Sequence, residues 1–444
     1  MNIRMPIRFL RDLRLQAAIA RRAREYETPR TEAERRAWHL EQLNHRWAHA
    51  TAQIPHYREL VRSGRVPRTF GSVQEFVETV PATTRTDVQQ DLPARVDPAR
   101  PAELKRTSGG STAQPVTTPA WKSEPAYTRL NTWMARGWYG IRPSSRLALI
   151  WGHSHLLGSG WRGRVNGLIR QSKDAACGYL RLSAYDLSVA HLEAMRQRLE
   201  TFRPEYIVGY SAALDALARA HEGRDLSHLK VRAVIATGEG FPAEDSSERL
   251  QALFNCPVAM EYGAVETYVM AHQHPEGAYR TFWRSYFLEA VEPGTAGGAV
   301  LRVTSLYPRA FPLFRYEIGD EVETCDEEDG YGVSRLKRVI GRCNDFITLP
   351  DGERIHSITL FAAVSQSIRE SGTGILRFQI VQSPGATALH VVPAPNATGE
   401  RVIETLRARL RAAHPRLARL HVQAVAELQQ SLAGKTPTIL KKSE

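Results

Sequence analysis

Between Thr107 and Pro115 the chain reads Thr-Ser-Gly-Gly-Ser-Thr-Ala-Gln-Pro. Glycines such as Gly109 and Gly110 let a backbone turn through positive φ and bring its N–H groups to a polyphosphate with no Cβ in the way. The hydroxyls of Thr107, Ser108, Ser111 and Thr112 add neutral donors. This is not a Walker A loop, because the G-K-[ST] ending is missing, and taken alone it also reads as a plain Ser/Thr/Gly loop. Further polar stretches follow in order. They are Gly238-Glu239-Gly240, Glu261-Tyr262-Gly263-Ala264-Val265-Glu266, and Phe311 to Asp320 (FPLFRYEIGD). Then come Gly341-Arg342-Cys343-Asn344-Asp345 and, near the end, Ala433-Gly434-Lys435.

In this order and spacing the six stretches resemble the adenylate-forming (ANL) superfamily of acyl-CoA synthetases and related ligases. Within it they are similar to the phenylacetate–CoA ligase-like branch, which also contains the CapK-type proteins of capsule clusters. Ile54-Pro-His-Tyr-Arg58, Trp151-Gly152 and Ile207-Val-Gly-Tyr210 extend that resemblance, which covers nearly all of the chain from about residue 35.

The resemblance implies roles. Thr107–Pro115 would contact the β- and γ-phosphates of ATP, and Gly238, Glu239 and Gly240 the adenine side. Tyr262, followed by Gly263, would stack on or flank the adenine, an aromatic face burying a heterocycle. Glu266 matches a magnesium-binding acid, an oxygen ligand suited to a hard cation. Asp320 matches a ribose-binding acid, whose two oxygens accept both sugar hydroxyls. Arg342 would hold the nucleotide at a hinge. Lys435 would reach the α-phosphate and the substrate carboxylate where negative charge builds up. Trp151, Tyr210 and Tyr127 are candidates for the wall of an acyl pocket. Each polar residue also has a plainer reading: Asp320 as a turn cap after Gly319, Glu266 as a first-turn helix acid, Lys435 as part of a basic tail with Lys441 and Lys442. Two departures stand out in the loop, Ala113 where the family has Gly and Gln114 where many members have Lys.

Together these imply ATP-dependent activation of a carboxylic acid to an acyl adenylate, with Mg²⁺, followed by transfer to CoA. Two alternatives stay open: another acceptor, such as an amine or a carrier-protein thiol, or a homologue that binds nucleotide without catalysis. His153/His155 and His272/His274 are close-spaced pairs that read as zinc ligands or as ordinary loop histidines. Gly209-Tyr210-Ser211 lacks the final glycine of a nucleophile elbow, and no ordered acid and histidine accompany it, which argues against a serine hydrolase.

These residues need elements to position them. Thr31 with Glu34 predicts a capping box opening a helix over 31–54 that Pro55 stops. Strands are expected at 146–152, 204–210, 231–237 and 257–262, and helices at 188–202, 212–222 and 243–254. That alternation predicts an α/β protein with a largely parallel sheet. The stretches 294–307 and 314–323 read as adjacent antiparallel strands. Past Gly341 the expected order is hairpin, helix 356–370, strands 376–381 and 388–393, helix 399–414 and strand 420–428. The whole is an α/β body with mixed and parallel sheets over 1–340, and a small mobile α+β, ferredoxin-like cap over 341–444.

Composition bounds the rest. The chain has 444 residues, 42% hydrophobic and 24% charged, which excludes extensive disorder. No stretch approaches the ~18 uninterrupted apolar residues of a membrane span. Cys177, Cys256, Cys325 and Cys343 form no C-x-x-C pair, as expected of free thiols in a reducing, cytoplasmic setting. The net charge is +12, and residues 1–36 carry ten Arg against five acids. Arg4, Arg8, Arg11 and Arg14 recur at helical spacing with Ile7, Leu10 and Leu13 between them. This reads as a solvated helix face rather than a nucleic-acid or membrane surface, since no aromatic–basic motif accompanies it. The expected partners are small molecules: the acid, ATP, and CoA or another acceptor.

Overall fold

The computed structural model describes residues 5–27, 31–107, 117–151, 160–184, 187, 189–293, 298–325, 330–342, 346–349, 354–356, 360, 364, 374–383, 386–395, 397–413, 417, 419–430 and 439–441. Ser108–Thr112, Ala113, Gln114, His153, His155, Cys343–Asp345 and Lys435 lie outside them, as does most of the expected helix 356–370. The chain divides into two compact units. One comprises Met1–Arg14, Tyr139–Met260 and Asn344–Glu444; the other comprises Leu15–Trp138 and Glu261–Cys343.

In the first unit the expected alternation is present. Strands Leu147–Trp151, Tyr179–Ser183, Tyr206–Tyr210 and Val234–Thr237 pair in parallel. Helices Val189–Phe202, Ser211–Ala220 and Ser246–Phe254 cross between them. Parallel strands buried on both faces need apolar side chains on both faces. Accordingly Ile150, Ile207, Val234 and Ala236 join Leu192, Leu214, Leu217 and Leu250 in one core. Past residue 344 a four-stranded sheet is built from the antiparallel hairpin Ile375–Ser383/Ala386–Pro393, with His421–Ala424 and Ile439–Lys441 added in parallel at either side. Helix Gly399–Ala413 lays Val402, Leu406 and Leu410 into its core. The strand Ile439–Lys441 is not among the elements expected from sequence. Three residues are too few to show a period, and pairing beside Ile380–Gln382 makes them a strand.

The second unit is antiparallel throughout its large sheet. Ala299–Ser305 pairs with Tyr286–Pro293 and with Tyr316–Thr324, which pairs in turn with Arg335–Arg342. Tyr279–Thr281, Tyr268–Gln273 and the end of Val258–Ala264 continue the ladder. The Thr31/Glu34 capping box is formed, and helix Glu32–Gln53 ends at Ile54 with extended backbone. Pro55 does stop that helix, and it also occupies the first turn of the next one, Pro55–Arg62, where its missing N–H costs nothing. Leu43, Trp47, Tyr57, Phe70, Phe76, Phe287 and Phe314 form the core beneath. Among the described residues no helix is long and apolar enough to cross a membrane.

Candidate functional site

The predicted residues fall into two clusters, one in each unit. In the second unit the strand ending at Ala264 and the strand starting at Tyr268 are joined by a tight turn that carries Glu266. Its backbone is held from several sides. Ala264 N–H donates to Thr267 Oγ1 at 3.1 Å, and the Thr267 hydroxyl donates to the Tyr268 carbonyl at 3.0 Å. Two adjacent carbonyls of the turn accept from buried side chains, Glu266 from the Arg309 guanidinium and Thr267 from the Tyr286 hydroxyl. Gly263 is required here: a Cβ on it would stand 2.0 Å from the Tyr268 carbonyl oxygen.

Arg309 and Glu124 form the brace beneath the turn. Both are buried, with Arg309 Nε 3.7 Å from Glu124 Oε2. The other Glu124 oxygen accepts from the backbone N–H groups of Trp121 and Ala310, each at 2.9 Å. Arg309 also donates to Tyr307 Oη at 3.1 Å. Burial holds the Tyr286 and Tyr307 phenols above their ordinary range, so both remain neutral donors and acceptors. Tyr268 has φ of +63°, a conformation costing about 1 kcal/mol or more for an aromatic L-residue. Burial pushes its phenol up to about 12 against the nearby Arg106 charge.

The Glu266 carboxylate is 7% exposed, and Arg85 Nη2 lies 3.5 Å from its Oε1. Among the described residues no group of three His, Cys, Asp or Glu could hold a metal. A single acid is nevertheless the donor set that Mg²⁺ uses when phosphates and waters complete its shell, so Glu266 fits that ion. His272 and His274 flank the Trp138 ring, at 5.9 and 4.9 Å between centroids. His272 is fully buried beside the Arg136–Glu261 ion pair.

Three more predicted residues come together in this unit. Tyr262 donates its hydroxyl to Asp320 Oδ2 at 2.8 Å, and Asp320 stands opposite Arg342 in the ladder. Their separation in sequence hides this, and the strands of Tyr262 and Asp320 do not pair with each other; only the packed structure discloses it. Thr107 ends the first strand of the hairpin Leu104–Thr107/Thr117–Ala120, and its Oγ1 lies 2.9 Å from that of Thr117. Those two hydroxyls lie at the ends of the paired strands, on either side of the stretch 108–116 in sequence. Tyr127 is 40% exposed and stacks on Tyr307, centroids 5.4 Å apart.

The second cluster lies in the first unit, where parallel strands end. Trp151 and Tyr210 meet at 4.1 Å between ring centroids. Gly238 has φ of +84°, and a Cβ there would come to 3.1 Å from the Tyr210 ring, so glycine serves both the turn and the close approach. Glu239 turns toward helix Ser211–Ala220: its carboxylate accepts from Ala212 N–H at 3.3 Å and its carbonyl from Ser211 Oγ at 2.7 Å. A carboxylate at a helix N-terminus is favoured by the dipole and the free N–H groups. Gly240 follows, exposed. Sequence reading missed Arg309, Glu124, Arg85 and Tyr268, which touch the Glu266 turn and belong to no motif. Arg309 lies just before the Phe311–Asp320 stretch, and that adjacency was the one available signal.

No family model matches the chain. A stretch of 264 residues is 25% identical to Protein CapK of Staphylococcus aureus, covering 58% of this chain and 57% of CapK. The match thus spans little more than half of that relative. Among solved structures the chain is similar to 2-hydroxyisobutyryl-CoA ligase in the postadenylation state with 2-HIB-AMP. The TM-score is 0.67 at 18% identity, over 93% of this chain and 90% of that one. The chain has the fold of the adenylate-forming ligases. An anthranilate CoA ligase with anthranoyl-AMP shares this fold at a TM-score of 0.50 and 16% identity, over 78% of this chain and 66% of that one. The shared fold and the CapK match agree with the adenylate-forming resemblance and its CapK-type branch read from the motifs. The mixed α/β class agrees with that expectation as well.

Proposed function

We propose that the chain activates a carboxylic acid with ATP, forming an acyl adenylate and pyrophosphate, and then passes the acyl group to the thiol of CoA. The observation that carries this reading is that the Tyr262 hydroxyl meets Asp320, which stands opposite Arg342 in its ladder, in a fold shared with ligases that bind acyl-AMP.

A carboxylate is a poor acyl donor because its charge is delocalised and its leaving group is poor. Attack of its oxygen on the α-phosphorus of ATP breaks the bond to the β-phosphate oxygen, and pyrophosphate departs. AMP is then a good leaving group when a thiolate attacks the acyl carbon. In this reading Asp320 accepts the ribose hydroxyls, and the Tyr262 hydroxyl holds the Asp320 carboxylate in place. Arg342 adds positive charge beside the nucleotide. Glu266 is the residue that would hold Mg²⁺, which supplies charge neutralisation at the phosphate oxygens. Lys435, carried on the segment after 341, supplies positive charge to the α-phosphate during adenylation. Trp151 and Tyr210 offer an aromatic wall for the acid, and Tyr127 a further aromatic face. The segment 341–444 acts as the cap that exchanges the adenylation and transfer states.

The test is acid-dependent ATP–pyrophosphate exchange over a panel of aliphatic and aromatic acids, followed by AMP release with and without CoA. Exchange with at least one acid, lost in K435A, is the expected result. Absence of exchange with every acid, or unchanged exchange in K435A, would overturn the mechanism. AMP release that ignores CoA but responds to an amine or carrier-protein thiol would move the acceptor to that class.

A further inference from the structure

Tyr268 adopts a left-handed backbone conformation, φ +63°, at a position where glycine would be unstrained. Such conformations persist where the surroundings over-determine them, and they concentrate at working parts of a molecule. Here the conformation sends the Tyr268 ring under the Arg106 guanidinium, whose carbon lies 3.9 Å from the ring centroid. Arg106 sits in the strand Leu104–Thr107, paired with Thr118 across the hairpin, one residue before the strand's end at the Ser/Gly loop. Two residues before Tyr268 stands Glu266, its carbonyl held by Arg309. A single side chain therefore joins the turn of the candidate metal acid to the stem of the candidate phosphate loop.

We propose that Tyr268 is a positioning residue that latches the Ser/Gly-loop hairpin to the Glu266 turn through Arg106, so that both phosphate-binding parts are set as one. This rests on the adenylation reading given above and adds to it a residue outside every motif. The latch needs the ring face and a cation, not the phenol hydroxyl. It also accounts for a strained tyrosine in place of glycine: glycine would relax the backbone but could not carry Arg106.

The full-length chain is tested as Y268G, Y268F, R106A and the Y268G/R106A double variant. ATP binding is measured by calorimetry with Mg²⁺ present, KM for ATP and for the acid by exchange, and folding by thermal melting. Y268G and R106A are each expected to weaken ATP binding about fivefold, the scale of one cation–π contact. The double variant should be no weaker than the poorer single one, as coupled groups require. Y268G should melt no lower than wild type, because glycine suits the backbone there, and Y268F should bind ATP like wild type. KM for the acid should not change. The latch is overturned by single effects that multiply in the double variant, by Y268F failing as Y268G does, by Y268G binding ATP normally, or by both KM values rising together. A wild-type chain that binds ATP but exchanges no acid overturns the adenylation reading alone; one that binds no ATP overturns both.

Discussion

The two units differ in what surrounds their candidate residues. The second unit encloses charge: Glu124 with Arg309 beneath the Glu266 turn, and elsewhere Glu289 with Arg315 at 2.9 Å and Glu261 with Arg136 at 2.8 Å. The parallel sheet of the first unit is filled mainly by Leu, Ile, Val and Ala, although helix Ser211–Ala220 buries Arg219 with Asp215 at 2.7 Å. Its Trp151–Tyr210–Gly238 corner is held by ring packing and by a carboxylate at a helix N-terminus. Buried ion pairs contribute little net stability, but removing one partner leaves the other stranded and costs much more. They hold a turn rigidly at the expense of tolerance. An aromatic corner accepts change because a ring can rotate or slide. The contrast suits a unit that would fix phosphates and a unit whose wall would accommodate an acid.

Three measurements can break or sharpen that contrast. The largest effect is expected for R309M, which strands Glu124 and frees the Glu266 carbonyl. Urea unfolding should show a loss of about 3–5 kcal/mol, with exchange activity lost in parallel. A loss below about 1 kcal/mol, within the range of a surface pair, would mean that the brace does not hold the turn.

The next concerns acid. His39 is buried against Trp283, whose carbonyl accepts from its Nε2 at 3.0 Å. Burial holds its pKa down at about 4 against an ordinary 6.5, outweighing that hydrogen bond, and the Arg35 and Arg284 charges lower it further. The unfolded chain therefore takes up the proton first. The stability that neutral His39 supports is complete above pH 6.5 and is withdrawn as the pH falls toward 4. The expected loss is about 3 kcal/mol across that window, read as a falling urea midpoint. H39Q should be flatter over the same range; an equal slope in both proteins would remove His39 as the cause.

The smallest effect compares one substitution in both regions. In G263A the new methyl meets a backbone carbonyl at 2.0 Å, whereas in G238A it meets the Tyr210 ring at 3.1 Å. We expect G263A to cost about 3 kcal/mol, the upper end for overpacking, and G238A about 1 kcal/mol for its left-handed backbone. Equal costs would erase the distinction between a rigid turn and a yielding corner.

The elements near the motifs were legible where local rules apply. The Thr31/Glu34 box, the parallel strands at 147–151 and 206–210 and the helix from Gly399 all follow from capping and hydrophobic period. The strand Tyr179–Ser183 and the antiparallel run from Tyr268 to Thr281 were not read. They are short, and their alternation is interrupted by polar residues that the fold buries, His272 and Thr281 among them.

By itself, then, the sequence marked the candidate residues: a Ser/Gly loop, ordered acids and Lys435 are chain-local patterns. It determined the fold class as well, because period and spacing are written along the chain. Only the tertiary structure decided which residues stand together. Tyr262 and Asp320, 58 positions apart, meet in one hydrogen bond although their strands are not neighbours in the sheet. Tyr268 under Arg106 and Arg309 under Glu266 likewise join segments far apart in the chain. Such contacts depend on register and burial, which are properties of packed strands that no single segment carries.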